Sequence, residues 1–195
     1  MKKIMERAFG MTEKEIERDL LADCRSGRRE AFARLYERHQ RRVFSVALNF
    51  FGGNRTLAED VSQLVFLKIF EKIGSFRAEA ELTTWIYRMT INACIDEQRR
   101  HRRFFSLENF FGVIRTKTAA DEKLERHALS GEVRKAIAAL KPKFRLPILL
   151  KYSEGLSYEE IARVLDCSIG TVSSRLNRGH KMLAGKLKHL KKEIK

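Results

Sequence analysis

Apolar residues recur every three to four positions along most of the 195-residue chain and almost nowhere alternate strictly with polar ones. That spacing puts them on one side of an α-helix and predicts an all-helical protein. Residues 1–12 read as a loose or partly helical extension. From Thr12 a helix carries Ile16, Leu20 and Leu21 on one face, and Ser26-Gly27 ends it. Residues 28–51 place Ala31, Phe32, Leu35, Tyr36, Val43, Phe44, Val46, Ala47 and Phe50 at helical intervals, opposite Arg34, Glu37, Arg38, Arg41 and Arg42. Gly52-Gly53-Asn54 stops that helix. Residues 57–73 are apolar on more than one side, with Val61, Leu64, Val65 and Lys68 in one stripe and Phe66, Phe70 and Ile73 in another. Such a helix is either central to a bundle or offers one face to a partner, with Asp60 and Gln63 one turn apart on its solvent side.

After a break at 74–77 and a short loop at 78–82, the next predicted helix spans 83–103 and opens on a Thr83 cap. Trp85, Tyr87, Arg88 and Asn92 lie near its start, and Arg99, Arg100, His101, Arg102 and Arg103 near its end. Rings interleaved with Arg suit unpaired nucleic acid, because rings stack on bases and guanidinium groups meet phosphates. The same pattern also fits a core Trp85 and Ile86 followed by a solvated basic end favoured by the helix dipole. Residues 104–125 break the helical pattern. Their Phe104, Phe105, Phe110 and Phe111 are unusual for a tether, so the segment reads as a connector that docks on a surface. A second set of helices begins at Leu129, with Val133, Ile137, Ala138 and Leu140 on one helix and Phe144, Leu146, Ile148, Leu149 and Leu150 on the next. The tail, 186–195, is lysine-rich.

The most informative stretch is 156–182, LSYEEIARVLDCSIGTVSSRLNRGHKM. Ser157 and Glu160 form an S-x-x-E capping box, and Ile161, Ala162, Val164 and Leu165 give that short helix an apolar face. Asp166-Cys167-Ser168 makes the turn. A second helix capped by Ser168 points Val172 and Leu176 inward and leaves Thr171, Ser173, Ser174, Arg175 and Arg178 on the open side. This is the pattern of a helix-turn-helix, whose exposed second helix enters a DNA major groove. A plain helical hairpin in a bundle is the alternative.

Charge bears on that choice. A formal net charge of +15 attracts polyanions, so nucleic acid is the first partner to consider and an acidic membrane surface the second. No apolar run approaches the roughly 18 residues needed to cross a bilayer, and the first residues carry Glu6, Glu13, Glu15, Glu17 and Asp19 instead of a signal peptide's apolar core. A cytoplasmic protein is expected. Cys24, Cys94 and Cys167 have no metal-ligand or disulfide spacing and read as small buried hydrophobes. The five histidines, His39, His101, His127, His180 and His189, pair with no carboxylate cluster, and no phosphate-cradling Gly loop occurs. No metal, cofactor or catalytic residue is expected, which disfavours an enzyme such as a nuclease.

Taken together, AEDVSQLVFLKIF and FRAEAELTTWIYRMTINACIDEQRR in the first half, and LSYEEIARVLDCSIGTVSSRLNRG in the second, resemble the extracytoplasmic-function (ECF) sigma factors of bacterial RNA polymerase. These are the smallest members of the sigma-70 family. The likeness spans about residues 28–103 and 129–184 in the family's order and spacing. It implies two small helical domains joined by a linker, the second containing the helix-turn-helix. The expected boundaries are 1–27 for an extension and first helix, 28–103 for a region 2-like domain, 104–128 for the linker, 129–185 for a region 4-like domain and 186–195 for the basic tail.

The resemblance also implies partners and sites. Asp60, Gln63 and Phe66 would contact the clamp helices of the polymerase β′ subunit, and the second domain would meet the β flap. Phe76, Arg77, Ala78, Glu79, Ala80, Glu81, Leu82 and Thr83 would form the loop that holds a flipped −10 base, with Trp85, Arg88, Asn92, Arg99 and Arg100 along the single strand. Ser168, Thr171, Ser173, Ser174, Arg175 and Arg178 would face the −35 duplex. The linker would thread the RNA exit path, and an anti-sigma factor would be a further partner; no small-molecule substrate is implied. Four positions depart from the family pattern: Leu64 where an acidic residue is frequent, Ala78 and Asp166 in place of Gly, and Ser173 where Lys or Arg is common. A DNA-binding regulator that uses its first half for dimerisation or a signal is the main rival, although it leaves 85–103 without a role.

Overall fold

The computed structural model describes residues 13–76, 81–111 and 125–188, and among these it contains eight α-helices and no strand. The first four are α1 (Glu13–Arg25), α2 (Arg29–Phe50), α3 (Arg55–Lys72) and α4 (Leu82–Phe111), with a 3-10 turn at Ile73–Ser75 between the last two. Then come α5 (Glu125–Ala138), α6 (Pro142–Tyr152), α7 (Tyr158–Leu165) and α8 (Ile169–Lys186). Residues 1–12 and 189–195, which hold the expected extension and the end of the basic tail, lie outside the described residues.

Helix breaks follow the local chemistry. At the end of α2 the Gly53 amide donates to Leu48 O at 2.8 Å, and Gly52 and Gly53 adopt φ of +67° and +94°, a conformation that costs a residue with a Cβ. Asn54 then starts α3 by accepting from the Leu57 amide at 3.1 Å. The side chains of α2 at Leu35, Val43, Val46 and Phe50 meet Val61, Val65 and Ile69 of α3 and Ile86 of α4, all of them buried. Helix α1 adds Leu20, Leu21 and Cys24 to the same core.

In the second half, α6 supplies Phe144, Ile148 and Leu150, α7 supplies Ile161 and Val164, and α8 supplies Val172 and Leu176. Gly179 lets α8 approach α6 closely: a Cβ there would stand 2.6 Å from Ile148 Cδ1 and 3.3 Å from Phe144 O. The two halves also pack against each other, through α4 against α7 and α2 against α5 and α6.

Three expectations need correction. Helix α3 buries Ala58, Val61, Val65, Phe66, Ile69 and Ile73, whereas Leu64 is exposed with Leu67 and Phe70. The core takes one arc of about 140°, and the opposite arc keeps its apolar residues in solvent. The fourth helix starts at Leu82, so Thr83 lies inside it and is no cap; its Oγ1 reaches Glu17 Oε1 at 3.5 Å. That helix also continues through Phe111, past the expected end at 103. Residues 112–124 of the expected connector lie outside the described residues.

Candidate nucleic-acid interface

Helix α4 builds the first candidate surface. Trp85, Arg88, Asn92 and Arg99 recur at spacings of three, four and seven, which puts them along one stripe of the helix. Asn92 and Arg99 are exposed, and Trp85 and Arg88 are half-buried. Trp85 packs on Phe76, ring centroids 4.9 Å apart and tilted by 43°. Phe76 itself is buried, and its carbonyl accepts from Arg25 Nη2, which fixes the start of the loop that follows. Leu82 is buried and Glu81 exposed at the loop's far end. Phe76 and Leu82 are therefore core residues that offer no contact surface, a correction to their expected role. Arg77, Ala78, Glu79 and Ala80, the rest of the expected pocket, lie outside the described residues.

Farther along α4 the cations are paired on the helix. Arg100 Nη2 donates to Glu97 Oε1 at 2.9 Å, and that carboxylate raises the Arg100 pKa, with Asp60 of α3 adding to the effect. Arg99 Nη1 stands 3.8 Å from Asp96 Oδ1. The Arg99–Asp96 pair is exposed on both sides and worth little in water, so phosphate can compete for Arg99, whereas the carboxylate that holds Arg100 is buried. Buried Thr90 donates to Ile86 O at 2.8 Å. Nearby Cys94 is sealed in the core, and burial pushes its thiol pKa up to about 12.

The helix-turn-helix forms as its caps require. Ser157 Oγ accepts from the Glu160 amide at 3.1 Å while Glu160 Oε2 accepts from the Ser157 amide at 2.6 Å; that backbone bond, with the Ser157 hydroxyl beside it, holds the Glu160 pKa below its ordinary value. Ser168 caps α8 through the Thr171 amide at 3.2 Å. Asp166 takes the turn at φ 49°, ψ 58°, the left-handed conformation a Gly would adopt freely. Along α8, Val172 and Leu176 are buried. Ser168, Ser173, Ser174 and Arg178 are exposed, with Thr171 and Arg175 half-buried. Ser168 spends its hydroxyl on the cap and Ser174 donates its own to Thr171 O at 3.0 Å, so the open donors of this face are Ser173, Arg175 and Arg178.

On α3 the outward arc carries Asp60, Gln63, Leu64, Leu67 and Phe70, a polar end running into an apolar stripe. Phe66 is buried against Tyr36, centroids 4.6 Å apart, so it stiffens the α2–α3 pair and makes no outward contact, against its expected role. Leu67 and Phe70, 61% and 62% exposed, were not singled out as contacts in the sequence. The signal was there: they share a spacing of seven with Asp60 and Gln63.

The sequence also gave no hint of the groups that join the two halves. Arg88 Nε and Nη2 both donate to Arg163 O, at 3.1 and 2.6 Å, and Glu154 accepts from Ser45 Oγ at 2.9 Å and Tyr87 Oη at 3.0 Å. Burial and the facing Glu154 carboxylate raise the Tyr87 pKa. Arg145, a lone charge in the apolar run FRLPILL, is buried and donates to Phe50 O, Leu140 O and Ala138 O. Between the halves lies a cavity of about 490 Å³, lined by Arg88, Asn92, Lys143, Leu165, Asp166 and Arg175 among others. Among the described residues no three His, Cys, Asp or Glu side chains are placed to hold a metal ion, and no helix is long and apolar enough to cross a membrane.

A family model described as Sigma-70 region 2 matches residues 35–104, and one described as Sigma-70, region 4 matches residues 130–183. The chain is 30% identical to the ECF RNA polymerase sigma-E factor of Haemophilus influenzae, over 92% of this chain and 100% of that relative. It is 29% identical to the ECF RNA polymerase sigma factor SigW of Bacillus subtilis, over 87% of this chain and 96% of that one. Among solved structures it is similar to the sigma factor RpoE of Bartonella quintana, solved in complex with the anti-sigma factor NepR. The TM-score there is 0.64 at 25% identity, covering 80% of this chain and 96% of that one. It is also similar to CnrH, solved with the cytosolic domain of CnrY, with a TM-score of 0.65 at 26% identity over 89% of this chain and 97% of that one.

Proposed function

The chain belongs to the ECF sigma factors of the sigma-70 family, and from that premise we propose that it directs core RNA polymerase to a set of promoters by two separate readings of DNA. Helix α4 and the loop before it capture unpaired bases of the −10 element, and α8 reads the −35 element as duplex. The observation that carries this is the full-length match to sigma factors, with both DNA-binding regions present in order.

On α4, Trp85 is the stacking platform. Its half-buried indole is braced by Phe76, and each base–aromatic stack contributes roughly 1–3 kcal/mol toward keeping the strand open. Arg88 and Asn92 lie along the strand, and Arg99 and Arg100 supply the salt-sensitive phosphate term. On α8, Arg175 and Arg178 contact base edges or phosphates, with Ser173 and Ser174 as short hydrogen-bonding groups beside them. A Ser at 173 in place of the frequent Lys or Arg removes one charged contact.

Polymerase binding falls to the outward arc of α3. Asp60 and Gln63 are exposed and available for polar contacts with the clamp helices of β′, and the Leu64, Leu67 and Phe70 stripe beside them supplies apolar area to bury. The chain supplies promoter choice, and polymerase supplies the chemistry. An anti-sigma factor is a further partner in this reading, supported by the similar RpoE and CnrH structures, each solved with another protein or protein domain. The protein works in the cytoplasm, where its template is.

Run-off transcription tests the proposal. Bacterial core polymerase on a library of promoter fragments is expected to start from a discrete set only when this chain is added. Absence of chain-dependent starts, together with absent binding to core and retained binding to duplex DNA, would move the protein to an operator-binding regulator.

A further inference from the structure

Helices α4, α6, α7 and α8 converge on the cavity of about 490 Å³, a volume within the roughly 300–1,000 Å³ typical of small-molecule sites. Its walls are largely aliphatic: Ile91 and Ile95 of α4, Leu146 of α6, and Val164 and Leu165 of α7. No lining residue is aromatic, so a planar base or ring finds no stacking partner there. A flexible hydrocarbon chain suits these side chains better.

The polar lining is lopsided in charge. Arg88 of α4, Lys143 of α6 and Arg175 of α8 all border the cavity, against one carboxylate, Asp166. That carboxylate is almost fully exposed, so water screens most of what it could offset. Arg88 already directs Nε and Nη2 at Arg163 O. Lys143 and Arg175 are less engaged. The Lys143 ammonium lies 5.1 Å from the Phe144 ring centroid and Arg175 reaches the Cys167 sulfur at 3.8 Å, and among the described residues neither forms an ion pair. Aliphatic walls beside two uncompensated cations select an amphipathic ligand. Inorganic phosphate would leave the walls wet, and an alcohol would leave the cations without a counter-charge.

We propose that this cavity binds a small aliphatic anion, an alkyl chain ending in a carboxylate or phosphate, with the chain against Ile91, Ile95, Leu146 and Leu165 and the head on Lys143 and Arg175. The site stands on the geometry alone. Its consequence rests on the promoter reading above: a ligand head on Arg175 takes the guanidinium which that reading gives to the −35 duplex, so ligand and promoter DNA compete.

Titration calorimetry of the full chain with octyl phosphate, kept below its micelle concentration, tests the site. Binding is expected at a single site per chain. Hexyl phosphate should bind about sixteenfold more weakly, since each methylene taken out of water is worth roughly fourfold in affinity. Octanoate should displace octyl phosphate, whereas inorganic phosphate and octanol at equal concentration should not. Lys143→Glu should weaken binding severalfold, and Ile95→Trp, which fills the cavity with an indole, should abolish it while circular dichroism retains the helical content. Leu67→Ser, on the exposed stripe of α3, should change nothing. Affinity indifferent to chain length, binding retained in both Lys143→Glu and Ile95→Trp, or binding lost in Leu67→Ser would each overturn the site. In run-off transcription with core polymerase, saturating octyl phosphate should raise severalfold the wild-type chain concentration needed for half-maximal starts and leave that of Lys143→Glu unmoved; an unmoved wild type would overturn the competition. Transcription absent from every protein, with the calorimetry as expected, would overturn the promoter reading and the competition together and leave the site standing.

Discussion

Arg145 and Phe50 lie in different halves of the chain, yet the guanidinium sits 4.5 Å from the Phe50 ring centroid and its Nη1 donates to the Phe50 carbonyl at 2.9 Å. The same group also serves Leu140 O and Ala138 O, so one buried side chain satisfies carbonyls at two helix ends. Replacing Arg145 by Met leaves those acceptors without their donor in a dry environment. The expected loss is about 3 kcal/mol in urea unfolding of the full chain. Lys, a single-point donor, should recover less than half of it. A loss below about 0.5 kcal/mol for Met would show that water replaces the guanidinium.

Asp166 presents two effects of opposite sign. Its left-handed backbone costs a non-glycine residue about 1 kcal/mol. Its carboxylate lies 4.0 Å from Arg88 but is 96% exposed, so that pair contributes little. Asp166→Gly is therefore expected to stabilise the helix-turn-helix, and Asp166→Val to destabilise it by about 1 kcal/mol or more. Denaturant midpoints of the two variants give the answer, and a destabilised Gly variant would mean that the exposed pair dominates.

The capping box predicts a pH dependence. Hydrogen bonds from the Ser157 amide and hydroxyl depress the Glu160 pKa, the backbone bond being the larger cause. A carboxylate whose folded pKa lies below its unfolded one contributes stability above the unfolded value, about 4.3, and loses it as pH falls through the folded value. Glu160→Gln should accordingly be less stable than wild type at neutral pH and converge with it as pH falls through the depressed folded pKa. Ser157→Ala should lose about 1 kcal/mol. A constant gap between Glu160→Gln and wild type across that range would assign the effect to packing.

Arg175 and Arg100 should fail differently. Arg175 is on the open face of α8 and makes a 3.8 Å contact with Cys167 Sγ, whereas Arg100 is tied to Glu97 at the basic end of α4. Arg175→Ala is expected to reduce discrimination at the −35 element by about 1–3 kcal/mol. Arg100→Ala should weaken binding to all sequences alike and lower the salt slope by about 1. Footprints and salt titrations that move together for both variants would reject this division.

Much of the local structure was legible because its causes lie within a few residues. Ser157 and Glu160 are three apart, Ser168 and Thr171 likewise, and Gly52-Gly53-Asn54 both ends one helix and starts the next. Where local chemistry was ambiguous, reading along the chain assigned the wrong face. Residues 57–73 are apolar around most of the helix, so periodicity could not tell that Phe66 turns inward and Leu64 outward. Thr83 looked like a cap because a Thr suits the residue before a helix, but α4 begins one residue earlier, at Leu82.

The sequence by itself determined an all-helical chain, the helix-turn-helix with its two caps, a basic surface, and through its motifs the family to which it belongs. These depend on periodicity of 3.6, on hydrogen bonds between near neighbours and on net charge, which are properties of short stretches or of composition. Only the tertiary structure decided which arc of α3 stays open, why Trp85 is held against Phe76, and how Arg145 and Glu154 reach across 95 and 109 positions to Phe50 and Ser45. Those pairings follow from the packing of whole helices, where one buried guanidinium or carboxylate finds its partners by distance in space, and no spacing along the chain encodes that distance.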